Sequence, residues 1–405
     1  MISFWRIFSL EVTAFWRSKA LALLLVAAAV WMFAFKYFVR GDGTAEGARE
    51  LYIHYSLGGV FALTVIALIA SATGTFARER EAKRLQLTLV RPVRFFSLSL
   101  AKIAALVSCG AVVLVFAAAL LLFQTDPLKP CNHVLSPILA SPRDEAKAMY
   151  ESYMKDPETP ENIRKADRRA VLRLLERKAV DHYQTIPTNT TATWNFAQGG
   201  EAIRLRFTNN FEMRQEVRGV FSSGNAALAV SNMTQAVTVI PFVGENGELK
   251  FENRGSSALM LRPRRDLNLL VRGDAFYWNL VRALMELLAA LAILVSMATL
   301  LSAGLGRPVA MFVAFSMLIV GEISPAIVEE YPNELECGLV DQVGLVITRS
   351  ATELARPLAA LTPLSALAKA ECIERGEVLR AVGFDLLLLP ILLSLFAAGI
   401  LKLKH

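Results

Sequence analysis

Apolar runs long enough to cross a lipid bilayer constrain this chain more than any other feature of its sequence. A spanning helix needs about 20 consecutive, mostly apolar residues. Six runs meet that length: residues 19–39, 52–76, 103–123, 280–304, 309–328 and 381–401. Since 54% of the 405 residues are hydrophobic, the composition agrees with an integral membrane protein that has room for one soluble domain.

A short, strongly basic segment at residues 77–102 separates the second run from the third. It contains seven Lys or Arg residues, and its only acids are Glu79 and Glu81. The positive-inside rule places such a loop in the cytoplasm and thereby fixes the side of every other loop. We therefore expect a multi-pass protein of the cell inner (plasma) membrane with both termini in the cytoplasm. Residues 124–275 and 329–380 are then external.

Residues 1–18 precede the first run and are predicted to form an interfacial helix. On a helical wheel an aromatic arc opposes a polar arc, which is typical of a helix lying in the headgroup layer. The alternative is that these residues begin a long, tilted first span. The aromatic arc contains Phe4, Trp5, Phe8, Val12, Phe15 and Trp16, and the polar arc contains Arg6, Ser9, Thr13 and Arg17.

The composition changes at residue 124, and no run of spanning length follows until residue 276. Residues 142–183 have helical character, whereas residues 185–274 alternate with period two between Gly-containing turns. These patterns predict an external (periplasmic) α+β domain with a helical part and a small, immunoglobulin-like β-sandwich. The fold class is therefore an α-helical integral membrane protein with six transmembrane helices and this inserted domain. The domains are 1–18, 19–123, 124–275 and 276–405.

Sequence motifs for catalysis are absent from the chain. No Gly-x-x-x-x-Gly-Lys-Ser/Thr loop could bind ATP phosphates, and no Gly-x-Ser-x-Gly turn is present. The four histidines are scattered without metal-ligand spacing. The net charge of +7 comes from residues beside the apolar runs, which favours lipid headgroups over nucleic acid as partners. We therefore expect that the chain by itself is not an enzyme, holds no cofactor or metal and binds no nucleic acid.

The basic segment has an internal order that matches a known pattern. Glu79-Arg80-Glu81 is followed by Leu85-Gln86-Leu87, by Arg91-Pro92-Val93-Arg94 and by Lys102. In this order the segment resembles the cytoplasmic loop of export-type (type-2) ABC transporter permeases, although Lys83-Arg84 replaces the Gly-Thr of that pattern. The resemblance extends to the six-span scaffold and does not cover residues 124–275. The alternative is a generic basic loop that obeys the positive-inside rule.

The resemblance implies that the loop is a coupling helix seated in a groove of a cytoplasmic ABC ATPase. It also implies a second permease subunit, in a homodimer or heterodimer, and places ATP and magnesium in the ATPase. The expected function is export of a lipid, glycan or other amphipathic substrate. Alternatives are a mechanotransmitter that acts on a periplasmic partner without transport, and a membrane sensor or scaffold. The expected coupling residues are Glu79, Arg80, Glu81, Arg84, Leu85, Leu87, Arg91 and Arg94.

Three of the four cysteines are external on this topology, where disulfides can form. Cys337 and Cys372 are the preferred pair, because both belong to a segment whose ends return to one helical bundle. A bond from Cys131 to either of them is the main rival, and three free thiols are the remaining alternative. Cys109, within the third run, is interpreted as a packing residue.

Two acidic residues lie inside apolar runs. Glu322 is in the outer third of its run, from which it can snorkel to the outer interface. Glu286 follows Arg282 at the i,i+4 spacing, which predicts a local ion pair.

The topology is directly testable. A phosphatase or cysteine-accessibility reporter inserted near Gly224 is expected to report the external compartment, because the basic excess lies in loops on the opposite side. A cytoplasmic signal from that site would overturn the topology.

Overall fold

The computed structural model describes residues 2–38, 45–81, 94–125, 130–155, 168–180, 182–208, 215–224, 226–234, 238–241, 247–330 and 361–404. The chain divides into two compact units. The helical unit comprises Met1–Lys129 and Ala275–His405, and the sheet unit comprises Pro130–Asp274.

Helices are numbered in chain order through both units. They are α1 Ile2–Arg17, α2 Ala20–Phe38, α3 Ala45–Glu81, α4 Phe95–Gln124, α5 Pro142–Lys155, α6 Arg168–Val180, α7 Pro263–Asp266, α8 Phe276–Gly304, α9 Arg307–Glu330, α10 Leu361–Ala368, α11 Arg375–Arg380 and α12 Leu389–Lys404. A π-helical segment, Ala381–Leu388, joins α11 to α12.

Five stretches of described helix are long and apolar enough to cross a membrane. They are Ala20–Phe38, Gly47–Glu81, Phe95–Gln124, Phe276–Gly304 and Arg375–Lys402. The remaining run lies in α9, of which Arg307–Ile319 is the apolar part among residues whose side chains the structure describes. The structure therefore agrees with a helical membrane protein that contains five candidate spans, and a sixth span stays a prediction.

The loop between the second and third spans is shorter than the sequence suggested. Helix α3 continues to Glu81 and α4 begins at Phe95, so residues 77–81 and 95–102 are helical. The predicted boundaries of 77–102 were therefore wrong. The apolar run ends at Phe76, but no Gly or Pro follows until Pro92, and charged side chains at a membrane surface can reach water without ending the helix.

The interior of the helical unit is filled where α3, α4 and α8 meet. A Cβ added to Gly110 of α4 would lie 2.8 Å from Leu291 Cδ2 and 2.9 Å from Leu68 Cδ1. Both leucines are fully buried. A small residue at this point lets the three helices approach closely, as is usual between membrane helices.

The last span is irregular just before Pro390. The π-helical segment ends at Leu388, and the Leu389 amide donates to the Phe384 carbonyl five residues earlier. Proline has no amide hydrogen to continue the usual ladder. The irregularity before Pro390 thus takes the form of a wider helical turn on its N-terminal side.

Helix α1 forms as predicted, but its buried face differs from the aromatic arc. Phe15 is buried, whereas Trp5 and Trp16 are 63% and 61% exposed. The face that packs is centred on Phe4, Glu11 and Phe15, so the tryptophans lie on its flank. Exposed tryptophans at this position suit a membrane–water interface.

Among its described residues, the sheet unit contains ten strands in three antiparallel sheets. Their orders are β1-β10-β4-β7, β2-β9 and β3-β8-β5-β6. The strands are β1 Asn132–Leu135, β2 Gln184–Ile186, β3 Thr191–Asn195, β4 Ala202–Leu205, β5 Glu216–Ser223, β6 Ala226–Met233, β7 Thr238–Pro241, β8 Glu248–Asn253, β9 Leu259–Leu261 and β10 Leu267–Arg272.

Alternate residues of the three sheets point into one hydrophobic core. Phe207, Phe221 and Phe251 lie at its centre, with ring centroids of neighbouring pairs 4.9 and 4.6 Å apart. The two larger sheets share this core, which agrees with an inserted domain of antiparallel sheets; the β-sandwich stays a prediction. Helices α5 and α6 lie within the predicted helical part.

Gly219 of β5 leaves the space in which the Phe251 ring packs against the sheet. An added Cβ would lie 2.4 Å from two ring carbons of Phe251 and 2.7 Å from the Glu252 carbonyl oxygen.

We therefore expect Gly219→Ala to destabilise the sheet unit by about 1–3 kcal/mol through overpacking. Hydrogen exchange of peptides from β5 and β8, measured on the full chain, should accelerate. Ser222→Ala, on the outward face of the same strand, is the matched control. Equal exchange in both variants would contradict the close packing at Gly219.

Candidate functional site: a buried charge cluster

A buried ammonium group connects three helices at one end of the helical unit. Lys102 Nζ of α4 lies 2.9 Å from Glu11 Oε1 of α1 and 2.5 Å from Glu79 Oε1 of α3. Only 2% of Lys102 is exposed. We call Glu11, Glu79, Arg80 and Lys102 the charge cluster.

Apolar side chains surround the ammonium of Lys102. Its Nζ lies 5.2 Å from the centroid of the Phe76 ring, which adds a cation–π contact. Five helices meet beside it in a small core of Phe76, Leu98, Ala303, Ala397 and Leu401, against which Ile7 packs. Because a buried charge is costly without partners, Lys102 depends on its two carboxylates.

The cluster contains one acceptor that the described residues do not use. Glu79 Oε2 is buried and has no hydrogen-bond partner among them. Glu11 and Glu79 together supply two carboxylates for one ammonium. An unsatisfied buried oxygen is destabilising, so this end of α3 is less firmly held than its ion pair alone suggests.

Arg80 links α3 to the C-terminal end of α8. Its guanidinium donates to the carbonyl oxygens of Ala303 (3.0 Å), Ser302 (3.4 Å) and Leu305 (2.6 Å). The last carbonyls of a helix lack partners within that helix and carry partial negative charge. Arg80 therefore caps α8 from the neighbouring helix.

The structure brings two of the predicted coupling residues into this cluster, Glu79 and Arg80. Glu81 is exposed at the end of α3, and Arg94 is exposed immediately before α4. The other four, Arg84, Leu85, Leu87 and Arg91, lie outside the described residues. The ion pair between Glu79 and Lys102 therefore connects α3 to α4 within the described parts of the predicted coupling segment.

Glu11 is the member of the cluster that the sequence interpretation missed. It was assigned to neither arc of the first helix. The sequence does contain a signal for it. Glu11 lies four residues after Ile7 and four residues before Phe15, and both of these residues are on the packing face of α1. An isolated acid in such a stripe needs a buried cation, and Lys102 supplies it.

The other end of the helical unit is held by hydrogen bonds from Asn279 and Arg282 to the backbone of residues 371–373. Asn279 of α8 is fully buried; its Nδ2 donates to the Glu371 carbonyl (2.7 Å) and its Oδ1 accepts from the Ile373 amide (2.8 Å). Arg282 donates to the Ile373 carbonyl at 3.2 Å. The predicted Arg282–Glu286 pair was wrong, because Glu286 Oε1 is buried without a described partner. Arg282 binds the returning chain instead.

The cysteines are only partly accounted for. Cys131 and Cys372 are disulfide-bonded, and Cys109 is a free, buried thiol. Cys337 lies outside the described residues, but with Cys109 free a Cys337–Cys372 bond would leave the bonded Cys131 without a partner in this chain, so the preferred pair was wrong. A bonded Cys131 is what the rival pairing requires, and the preferred pairing does not explain it.

No family model matches the chain, and no curated protein or solved structure gives a significant match. In the part of the chain that the structure describes, no three His, Cys, Asp or Glu side chains are grouped as metal ligands. The charge cluster is therefore interpreted from its own geometry.

We expect Lys102→Met to destabilise the helical unit by about 3–5 kcal/mol, because it leaves two partly buried carboxylates without a cation. Thermal unfolding in detergent measures this loss. The triple variant with Glu11→Gln and Glu79→Gln should recover most of it, since no unpaired charge remains.

Lys147→Met is the control. Lys147 pairs with Asp144 at 3.2 Å, but both side chains are more than half exposed, so its loss should change stability by at most about 1 kcal/mol. If Lys102→Met were as mild as this control, the charge cluster would not hold the helices together.

Proposed function

We propose that this chain is the membrane-spanning permease subunit of an ABC exporter, driven by a separate cytoplasmic ATPase. The charge cluster carries the proposal. It joins α1, α3, α4 and α8 at the described ends of residues 79–102, the segment that resembles a coupling loop. Through these contacts, a displacement of that segment would move several helices.

The contacts define a route for that movement. A displacement of the segment acts on the end of α3, where Glu79 transfers it through Lys102 to α4 and α1. Arg80 transfers it to the end of α8. On ATP binding, closure of the ATPases would shift these helices together, in the manner of rigid elements that move about a fixed contact.

The substrate pathway is proposed to lie between two permease subunits. Within one chain, the space between α3, α4 and α8 at Gly110 is filled by leucine side chains. A lipid or other amphipathic substrate would then move along an interface that the second subunit completes. On the positive-inside topology, the sheet unit faces the external compartment.

Mechanotransmission is the second candidate function, and the same packing favours it. A filled helix interior and a sheet unit with its own core are also what a protein needs to pass a movement across the membrane without transport. ATP-dependent transfer of a fluorescent lipid in proteoliposomes distinguishes export from it. Changed hydrogen exchange in the sheet unit without lipid transfer would favour mechanotransmission.

The coupling itself is tested by reversing the charges of Arg84 and Arg91 to Glu. We expect loss of binding to the co-purified ATPase and at least a tenfold fall in its stimulated activity, which corresponds to about 1.4 kcal/mol of lost coupling. Membrane insertion should be unchanged.

The control reverses Arg17 and Lys402, two exposed cations on the same predicted side. It introduces the same change in charge at positions outside the segment's sequence and should leave the ATPase bound. Unchanged complex formation and ATPase activity in the Arg84 and Arg91 variant would refute the proposed function.

A further inference from the structure

No other described strand pairs with the outer edge of strand β6 in the sheet unit. Strand β6 is eight residues long and is the last strand of the sheet β3-β8-β5-β6. The Thr234 amide donates to the Gln215 carbonyl at 2.8 Å, which sets the alternation of the ladder with β5. The backbone groups of Ala227, Ala229, Ser231 and Met233 therefore point away from β5.

The other described strand edges of the two larger sheets are short or covered. At the opposite edge of the same sheet, the Ile138 amide donates to the Asn195 carbonyl of β3 at 2.6 Å. In the other sheet, β1 and β7 each have four residues, and β7 ends at Pro241. Folded proteins usually protect long edges with Lys, Pro or a covering segment. Strand β6 has neither charge nor proline.

Two charged residues of the neighbouring strand β5 neutralise each other. Arg218 Nη2 lies 2.9 Å from Glu216 Oε2, and the Ser231 hydroxyl donates to Glu216 Oε1 at 2.7 Å. The hydrogen bonds from Arg218 and Ser231 hold the pKa of Glu216 below its ordinary value, so the pair is ionised and balanced at neutral pH. An approaching strand meets no unbalanced charge from these residues.

We propose that β6 pairs antiparallel with β6 of a second copy of this chain, which joins the two sheets into one. Three observations favour this occupant. The strand is uncharged, so two copies related by a two-fold axis oppose no like charges. Its exposed side chains are mostly small, so two backbones can approach closely. Copies held in one membrane also meet at high effective concentration.

This pairing does not depend on the proposed ATPase coupling, since it uses only the sheet unit. A chain without an ATPase could pair in the same way. The variants that test it lie far in sequence from Arg84 and Arg91, so the two proposals fail independently.

The test is photo-crosslinking of the full chain, reconstituted in lipid nanodiscs formed at a size that admits two copies. A benzophenone amino acid at position 227 should give a homodimeric adduct. Ala229→Pro removes an outward amide without breaking the bonds between β5 and β6, and it should reduce the adduct at least fivefold.

Thr193→Pro is the matched control. By the alternation of the β3–β8 ladder, the Thr193 amide also points outward, at the opposite edge of the same sheet. It should leave the adduct unchanged. The proposal is overturned if position 227 gives no homodimer, if both proline variants lower the adduct equally, or if the same probe in cells links only to a different protein.

Discussion

The ion bridge centred on Lys102 is the interaction on which the helical unit depends. An ammonium group that is almost completely enclosed cannot remain ionised without partners, and those partners come from two other helices. The positions of α1 and α3 beside α4 are therefore fixed by a charge requirement in addition to apolar packing. Apolar contacts alone would tolerate sliding of helices, whereas a bridge with defined distances does not.

Much of the helical unit could be predicted because its signal is length and hydrophobicity. Residues 19–39 and 280–304 correspond closely to α2 and α8. The ends of helices were less predictable, as residues 77–81 show, because a helix continues wherever its side chains can reach water or a partner. The partners of Glu11 and Arg80 could not be assigned from spacing, since they lie far away in sequence.

In the sheet unit, too, some elements could be predicted from the sequence and others could not. Residues 202–205 and 259–261 belong to the stretch predicted to alternate with period two, and both form strands. Strands β5 and β6 were not predicted, because Gly219 and the alanines of β6 weaken the β-branched signal that identifies a strand. Their positions are explained by the Phe251 ring, which needs a glycine above it. Such a tertiary requirement is invisible in a single sequence.

The length of α3 has a mechanical consequence. Its 37 residues make a continuous helix of about 55 Å, which is longer than the bilayer core of about 30 Å. In a helix of that length, a small rotation at one end produces a large displacement at the other. A tilt of about 5° about the end that carries Glu79 and Arg80 would displace the opposite end by about 5 Å, roughly one helical turn. Small adjustments among four charged side chains can therefore appear at the far membrane surface as a movement large enough to change what binds there.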